Sequence, residues 1–317
     1  MSKIIFDTAV GSTNLGDHII MDSVTREAEE IFKDDFLVQV ATHWHIHPLD
    51  LPLIRKGNLA LVGGTNLLKN NMLFKRQWKV GLKEIWALKN KVVLCGVGWW
   101  QYQQNNPDAY SQFIYKNLLS NTLYHAVRDR YTLEKLNRFG VKNVINTGCP
   151  TVWSLTPEHC LNISTEKSEV AITTVTDYMK SPSEDKQMLE TLAKSYKEVW
   201  AWPQGSKDIQ YLKSLKVPVK LLPSKLSSFD SFLQNNDCDY VGTRLHAGIR
   251  ALQFKRRALI IGIDNRAKEM HKDINLPVLP REEISSLGTI MEGNAFAVNL
   301  KVDFQSVDFW KNQFKRS

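Results

Sequence analysis

Short β-branched runs alternate with amphipathic stretches from one end of this chain to the other, and the alternation restarts once. Such alternation belongs to parallel sheets flanked by helices, because strands joined in parallel need a crossover segment between them. In the first half it predicts strands near residues 3–7, 36–41, 59–62, 91–95, 123–127 and 143–145. Helices are expected near 15–32, 76–89, 108–120 and 131–139, the last stopping at Gly140, where glycine can take the left-handed cap conformation. Residues 149–168 are rich in Pro, Thr and Ser without periodicity and read as a linker. Beyond it, strands are expected near 169–173, 198–202, 219–222, 239–241 and 258–261. Helices should cover 183–196, 207–215, 227–234, 245–254 and 281–291. Phe304, Phe309, Trp310 and Phe314 then recur at a roughly helical spacing and suggest a final helix that packs on a domain face.

The expected fold is therefore α/β, with two Rossmann-like doubly wound domains facing a cleft. The first would span 1–155 and the second 165–300, with 301–317 a helix for which the N-terminal domain is one docking candidate. Ligands in such folds bind beyond the carboxyl ends of the strands.

A chain of 317 residues can bury two cores, and 43% hydrophobic with 23% charged residues is a globular composition. Its apolar runs, such as Val92-Val93-Leu94, fall far short of the roughly 18 residues of a membrane span. The chain enters a strand pattern at Lys3 without the apolar stretch of a signal peptide, so a cytoplasmic location is expected. Cys95, Cys149, Cys160 and Cys238 lie far apart with no CxxC pair, and read as reduced thiols and not as a zinc site. The formal charge of +8 favours anionic partners, either phosphorylated substrates, an anionic membrane surface or nucleic acid. Local clusters occur at Lys255-Arg256-Arg257 and in the tail (Lys311, Lys315, Arg316), but no nucleic-acid motif accompanies them. A solubilising surface explains the charge equally well.

The glycine turns are where chemistry can sit. The first strand leads through Gly11-Ser12-Thr13-Asn14-Leu15-Gly16-Asp17-His18 into a helix, whose free N–H groups favour an anion; Asp17 can either cap that helix or serve the chemistry. Gly63-Gly64-Thr65-Asn66 follows the third strand and Gly96-Val97-Gly98-Trp99-Trp100 the fourth. Trp99 and Trp100 are open to two readings, a stacking face for a sugar or core. Arg128-Asp129 is either an interface ion pair or functional. Gly242-Thr243-Arg244-Leu245-His246 is more pointed. It sets an arginine, suited to bidentate recognition of phosphate or carboxylate, two residues from a histidine that can move a proton, both on a helix's first turn. The run Ile263-Asp264-Asn265-Arg266-Ala267-Lys268 adds polar groups at the same edge. His43, His45 and His47 alternate, but Pro48 follows and the segment reads as a loop, so no metal site is expected there.

In this order the motifs resemble those of the polysaccharide pyruvyl transferase family. They are Asn14-Leu15-Gly16-Asp17, Gly63-Gly64, Ala126-Val127-Arg128-Asp129, Gly140-Val141-x-Asn143-Val144 running to Gly148-x-Pro150, and above all Gly242-Thr243-Arg244-Leu245-His246. The chain departs from the pattern where the glycine run stops at Thr65, and where a tyrosine before Lys268 is missing.

The resemblance implies a GT-B-type fold and transfer of pyruvyl from phosphoenolpyruvate to two sugar hydroxyls, forming a cyclic ketal and releasing phosphate. It implies that Arg128 and Arg244, one from each domain, clamp the donor's phosphate and carboxylate. His246 would protonate the enol carbon, and Asp17 would act as base or orient the acceptor. Asn14, Gly16, Gly63, Gly64, Gly98, Thr243 and Lys268 would bind substrate. No metal, nucleotide or other cofactor is called for, and no nucleic-acid partner. The acceptor would be a sugar of a cell-surface polysaccharide or its lipid-linked precursor, and the latter would bring peripheral contact with the inner face of the membrane. Two rivals remain at this point. A nucleotide-sugar glycosyltransferase of the same fold would need an acid to grip a ribose, for which Asp264 is the candidate. A non-catalytic glycan-binding scaffold would tolerate replacement of Arg244 and His246.

Overall fold

Among the described residues every pairing between strands is parallel. The computed structural model describes residues 2–74, 76–293 and 297–315, and these form two α/β units. No helix among them is long and apolar enough to cross a membrane.

The first unit takes residues 2–12, 20–153 and 302–315. Its elements run β1 (Ser2–Asp7), α1 (Leu15–Ile31), β2 (Phe36–Ala41), α2 (Leu51–Lys56), β3 (Leu59–Gly63), α3 (Leu82–Leu88), β4 (Val92–Cys95), α4 (Ala109–Leu118), β5 (His125–Val127), α5 (Arg130–Arg138) and β6 (Val144–Asn146). The sheet order is β2-β1-β3-β4, and β5 pairs with β6. Strands β3 and β4 are buried at every position, as expected where helices cover both faces of a parallel sheet. Gly96 N–H donates to the Ala126 carbonyl at 2.9 Å, tying β5 to the end of β4. Gly140 ends α5 at φ +85°, the left-handed conformation that favours glycine.

The second unit takes residues 13–19 and 154–301. It continues with α6 (Pro157–Leu161), β7 (Val170–Thr174), α7 (Pro182–Ser195), β8 (Glu198–Ala201), α8 (Asp208–Ser214), β9 (Lys220–Leu221), α9 (Leu226–Asn235), β10 (Asp239–Gly242), α10 (Leu245–Gln253), β11 (Ala258–Gly262), α11 (Asn265–Ile274), β12 (Val278–Pro280) and α12 (Leu287–Glu292). Its sheet order, β12-β11-β10-β7-β8-β9, is that of the Rossmann fold. The order reverses between β7 and β10, so that is where a crevice for ligand opens. The closing helix α13 (Phe304–Asn312) belongs to the first unit, where buried Trp310 packs on Trp153 at 5.6 Å between ring centres.

Differences from the sequence reading have local causes. Residues 149–168, in which the chain passes from the first unit to the second, are packed and partly helical. They contain a 3-10 turn (Pro150–Val152) and α6, each with a proline in its first turn, where the missing N–H costs nothing. The same ambiguity of proline hid α2. Helix α3 starts six residues later than expected, at Leu82, after the N-cap residue Gly81, whose N–H donates to Glu84 at 2.8 Å. The Lys255-Arg256-Arg257 cluster is largely structural: Arg257 is buried against Asp239, and Arg256 donates to the Leu233 carbonyl at 2.7 Å. Of the tail, Lys311 pairs with Glu27 and α13 ends at Asn312, while Arg316 lies outside the described residues, as does Met1.

One buried group gives the first unit a pH dependence. His125 Nε2 donates to the Ser120 carbonyl at 2.9 Å, and Nδ1 accepts the Leu94 N–H at 3.3 Å, which fixes the neutral ring. Burial lowers its pKa to about 4. The unfolded chain therefore binds a proton near pH 6.5 that the folded unit refuses, so stability is full above that pH and falls as pH drops toward 4. We expect a loss of about 3 kcal/mol over that window from this residue. Urea unfolding of wild type and His125→Asn across pH 4–7 checks it, with the slope flattened in the variant.

Candidate active site

The β7/β10 switch point is built by five segments of the second unit. Strand β10 ends at Gly242, which packs so closely on Thr174 that a Cβ would lie 2.6 Å from its carbonyl oxygen. Thr243 then ties the two strands together. Its N–H donates to the Thr174 carbonyl at 2.9 Å, and its Oγ1 accepts the Thr176 N–H at 2.8 Å. Arg244 is the N-cap residue of α10, and buried His246 lies on that helix's first turn.

The Arg244 guanidinium is braced from behind. Its Nε and Nη2 donate to the two oxygens of Asp208, at 3.1 and 2.5 Å, and Nη2 lies 3.5 Å from Asp177 Oδ1. Asp208 is only 2% exposed and is itself held by the N–H groups of Gly205 (2.7 Å) and Asp177 (3.0 Å). Gly205 leaves the room, since a Cβ there would sit 2.3 Å from Arg244 Nη2. The Nη1 group of Arg244 makes no hydrogen bond among the described residues. A fixed fork with one free edge is suited to an anion.

Residues 13–19 pack in this same unit. Leu15 N–H donates to the Gln204 carbonyl at 2.9 Å, and Ser206 N–H to the Thr13 carbonyl at 3.1 Å. Asn14 caps α1 by accepting the Gly16 N–H at 3.1 Å, and its Oδ1 also accepts Gln204 Nε2 at 2.8 Å. Gly16 lies under that contact: a Cβ would be 2.7 Å from Gln204 Nε2. Capping is thus the work of Asn14, and Asp17 is left buried on the first turn, 3.5 Å from Asn14 Nδ2. Among the described residues the buried Oε1 of Gln204 has no hydrogen-bond partner. Arg266 opens α11 and is gripped by Asp264 through Nε (2.8 Å) and Nη2 (2.5 Å). Burial alone would lower its pKa, but Asp264, with Tyr178 and Asp17 beyond, raises it. It is a permanent cation facing Asp17.

In the first unit Arg128 is enclosed. It is 1% exposed, donating through Nε to Asp129 (3.0 Å) and through Nη1 to Asn66 (2.5 Å), with Nη2 2.9 Å from Asp129. Gly98 makes space for it, since a Cβ there would fall 2.2 Å from the guanidinium carbon. Asp129 meanwhile caps α5 through the Thr132 N–H at 2.7 Å. Gly63 and Gly64 likewise accommodate protein, their Cβ positions meeting Val24 at 2.6 Å and Ile20 at 2.1 Å. Trp99 is core, packed on Phe139 and Tyr115, whereas Trp100 is half-buried under Lys69, 4.9 Å from its ring. Lys268 is 42% exposed and pairs with Glu282 at 3.3 Å. Among the described residues no three His, Cys, Asp or Glu side chains converge as a metal site.

The structure thus gathers Asn14, Gly16, Asp17, Thr243, Arg244 and His246 in one unit, and adds Asp177, Gln204, Asp208 and Arg266. A family model described as polysaccharide pyruvyl transferase matches residues 14–265, from the Asn14 cap to the start of α11. The chain belongs to that family. Transfer of a pyruvyl group to polysaccharide is the activity at family level, and the Gly-Thr-Arg-Leu-His turn lies inside the matched region.

A search of curated protein sequences gives no match. Among solved structures, this pyruvyl transferase family member is similar to the Methanocaldococcus jannaschii UDP-GlcNAc 2-epimerase in complex with UDP-GlcNAc and UDP. The TM-score is 0.57 at 11% identity, over 100% of this chain and 99% of that one. The S. aureus MnaA–UDP co-structure matches with a TM-score of 0.51 at 12% identity, over 99% of this chain and 96% of that one. At such identities the likeness is one of fold, the GT-B-like class of two Rossmann-type units.

Proposed function

We propose that the chain transfers the pyruvyl group of phosphoenolpyruvate to two hydroxyls of a sugar, closing a cyclic ketal and releasing phosphate. The observation that carries this reading is the Asp208-braced Arg244, with its free Nη1, two residues from buried His246 on one helix turn. Phosphoenolpyruvate presents phosphate and carboxylate. In this scheme Arg244 and Arg266 meet those anions, and the N-terminus of α10 adds its partial positive charge. Arg128, held by Asp129 and Asn66, positions the loops after β3 and β4 in this scheme. Thr243 fixes the turn, and Lys268 remains with Glu282 outside the donor site.

His246 donates a proton to the methylene carbon, which makes the adjacent carbon electrophilic. One sugar hydroxyl adds there, the C–O bond to phosphate breaks, and the second hydroxyl closes the ketal. Of the two hydroxyl protons, one restores His246 and the other leaves with phosphate. In this scheme Asp17 draws the hydroxyl proton that leaves with phosphate, and Oε1 of Gln204, without a partner among the described residues, suits a donor such as a sugar hydroxyl. The nucleotide-sugar rival loses its ribose grip, because Asp264 Oδ1 takes the Arg266 N–H at 3.0 Å and Oδ2 takes its guanidinium.

His246→Gln should leave phosphoenolpyruvate affinity intact and slow turnover by ~10²–10⁴-fold, the usual worth of general acid catalysis. Sugar-dependent phosphate release across a glycan panel, with a ketal identified on the product, tests the reaction. Normal turnover in the variant would place the acid elsewhere.

A further inference from the structure

Helices α2 and α3 pack side by side on the first unit and present an outer face rich in exposed apolar side chains. Leu49, just before α2, is 81% exposed, Leu53 56%, Leu82 63% and Trp86 52%. Single exposed apolar residues need no explanation, but three on one helix pair with a fourth just before it do. They are interleaved with exposed cations: Arg55 and Lys56 on α2, Lys83 on α3, and Lys89 at its end. Arg55 lies flat on Trp86, its guanidinium carbon 4.3 Å from the ring centre.

Charge decides what this face fits. Several cations elsewhere on the surface are matched by acids, as in Lys186–Glu190, Lys268–Glu282 and Lys272–Glu269. None of Arg55, Lys56, Lys83 and Lys89 forms an ion pair among the described residues. The acid within α3, Glu84, is buried and spent on the Gly81 N–H, which leaves Asp50 as the exposed carboxylate beside α2. A merely solubilising face would mix both signs and would not expose leucines and a tryptophan. A self-association face would bring like charges together.

We propose that the α2–α3 face is a docking surface for an anionic lipid membrane. Leu49, Leu53, Leu82 and Trp86 enter the headgroup region, where tryptophan is favoured, and the cations meet lipid phosphates. The inference is independent of the reaction. Joined to the reading above, and resting on it for that step, it makes the acceptor a sugar carried on a lipid.

Co-sedimentation of the full chain with vesicles of phosphatidylglycerol and phosphatidylcholine, against phosphatidylcholine alone, tests the surface. Binding is expected to the anionic vesicles and to fall steeply with added salt. Lys83→Glu/Lys89→Glu should weaken it roughly tenfold or more, and Trp86→Ala should weaken it while leaving its salt dependence. Arg55→Gln/Lys56→Gln supplies a second charge variant should the first fail to fold by circular dichroism. Equal binding to both vesicle types, unchanged binding in the folded variants, or a change in oligomeric state in place of vesicle affinity would overturn the proposal. Phosphoenolpyruvate titration of the same variants should match wild type, so failure of the surface and failure of the reaction are read separately.

Discussion

Arg244→Ala is expected to abolish turnover. In a dry site, removing one preorganised partner of a developing charge costs on the order of 3–4 kcal/mol, or roughly 10²–10³-fold in rate. Here the loss should also appear in donor affinity, because Arg244 offers its free Nη1 in the ground state as well. Arg244→Lys should rescue little, since an ammonium cannot span both Asp208 oxygens and keep a third donor aimed outward. The second unit should stay folded, because Asp208 retains the Gly205 and Asp177 N–H donors. Steady-state kinetics with thermal melts of each variant separates lost chemistry from lost fold. Turnover within tenfold of wild type would remove Arg244 from the site.

Arg257→Ala is expected to have the largest effect on stability. Arg257 and Asp239 form an ion pair whose side chains are both nearly inaccessible. Asp239 also accepts the Tyr196 hydroxyl at 2.7 Å, and Arg257 donates to the Met291 carbonyl at 3.2 Å. Deleting the cation leaves a buried carboxylate short of its main partner, at a cost of about 3–5 kcal/mol. Pairing Arg257→Met with Asp239→Asn should cost less than Arg257→Met alone, because the second change removes the stranded charge. Equilibrium urea unfolding of the set measures this. A cost below about 1 kcal/mol for Arg257→Ala would contradict it. Asp239 opens β10 and Gly242 closes it, so a loosened pair should also blunt the Arg244 turn at the strand's other end.

What the sequence made legible was contiguous. Gly242 to His246 are five neighbours whose strand-turn-helix context fixes where they sit, and the Asn14–Asp17 turn is similar. The partners were not legible. Asp208 and Asp177 lie 36 and 67 residues from Arg244, and only the sheet order, with β7 beside β10 and β8 next, brings their loops together. Hydrophobic periodicity predicts strands but not their order. Arg266 stood in a run noted only for its polarity because the start of α11 was missed. The Asp264 cap, accepting the Arg266 N–H, was the local signal that would have found it.

Arg128 marks the other limit. An arginine in a matching motif suggests a ligand contact; that Asn66 and Gly98 are its neighbours, both distant in sequence, was not legible. The glycines Gly63 and Gly64 signalled close approach, and their Cβ positions meet side chains of α1. Proline misled in residues 149–168 because it marks helix starts and loops alike.

Calorimetric titration with phosphoenolpyruvate, using UDP and GDP as controls, tests the central claim most directly. We expect phosphoenolpyruvate to bind wild type and His246→Gln, to fail with Arg244→Ala, and the nucleotides to stay silent. Binding of UDP or GDP in place of phosphoenolpyruvate would contradict the account and turn it toward nucleotide-sugar chemistry.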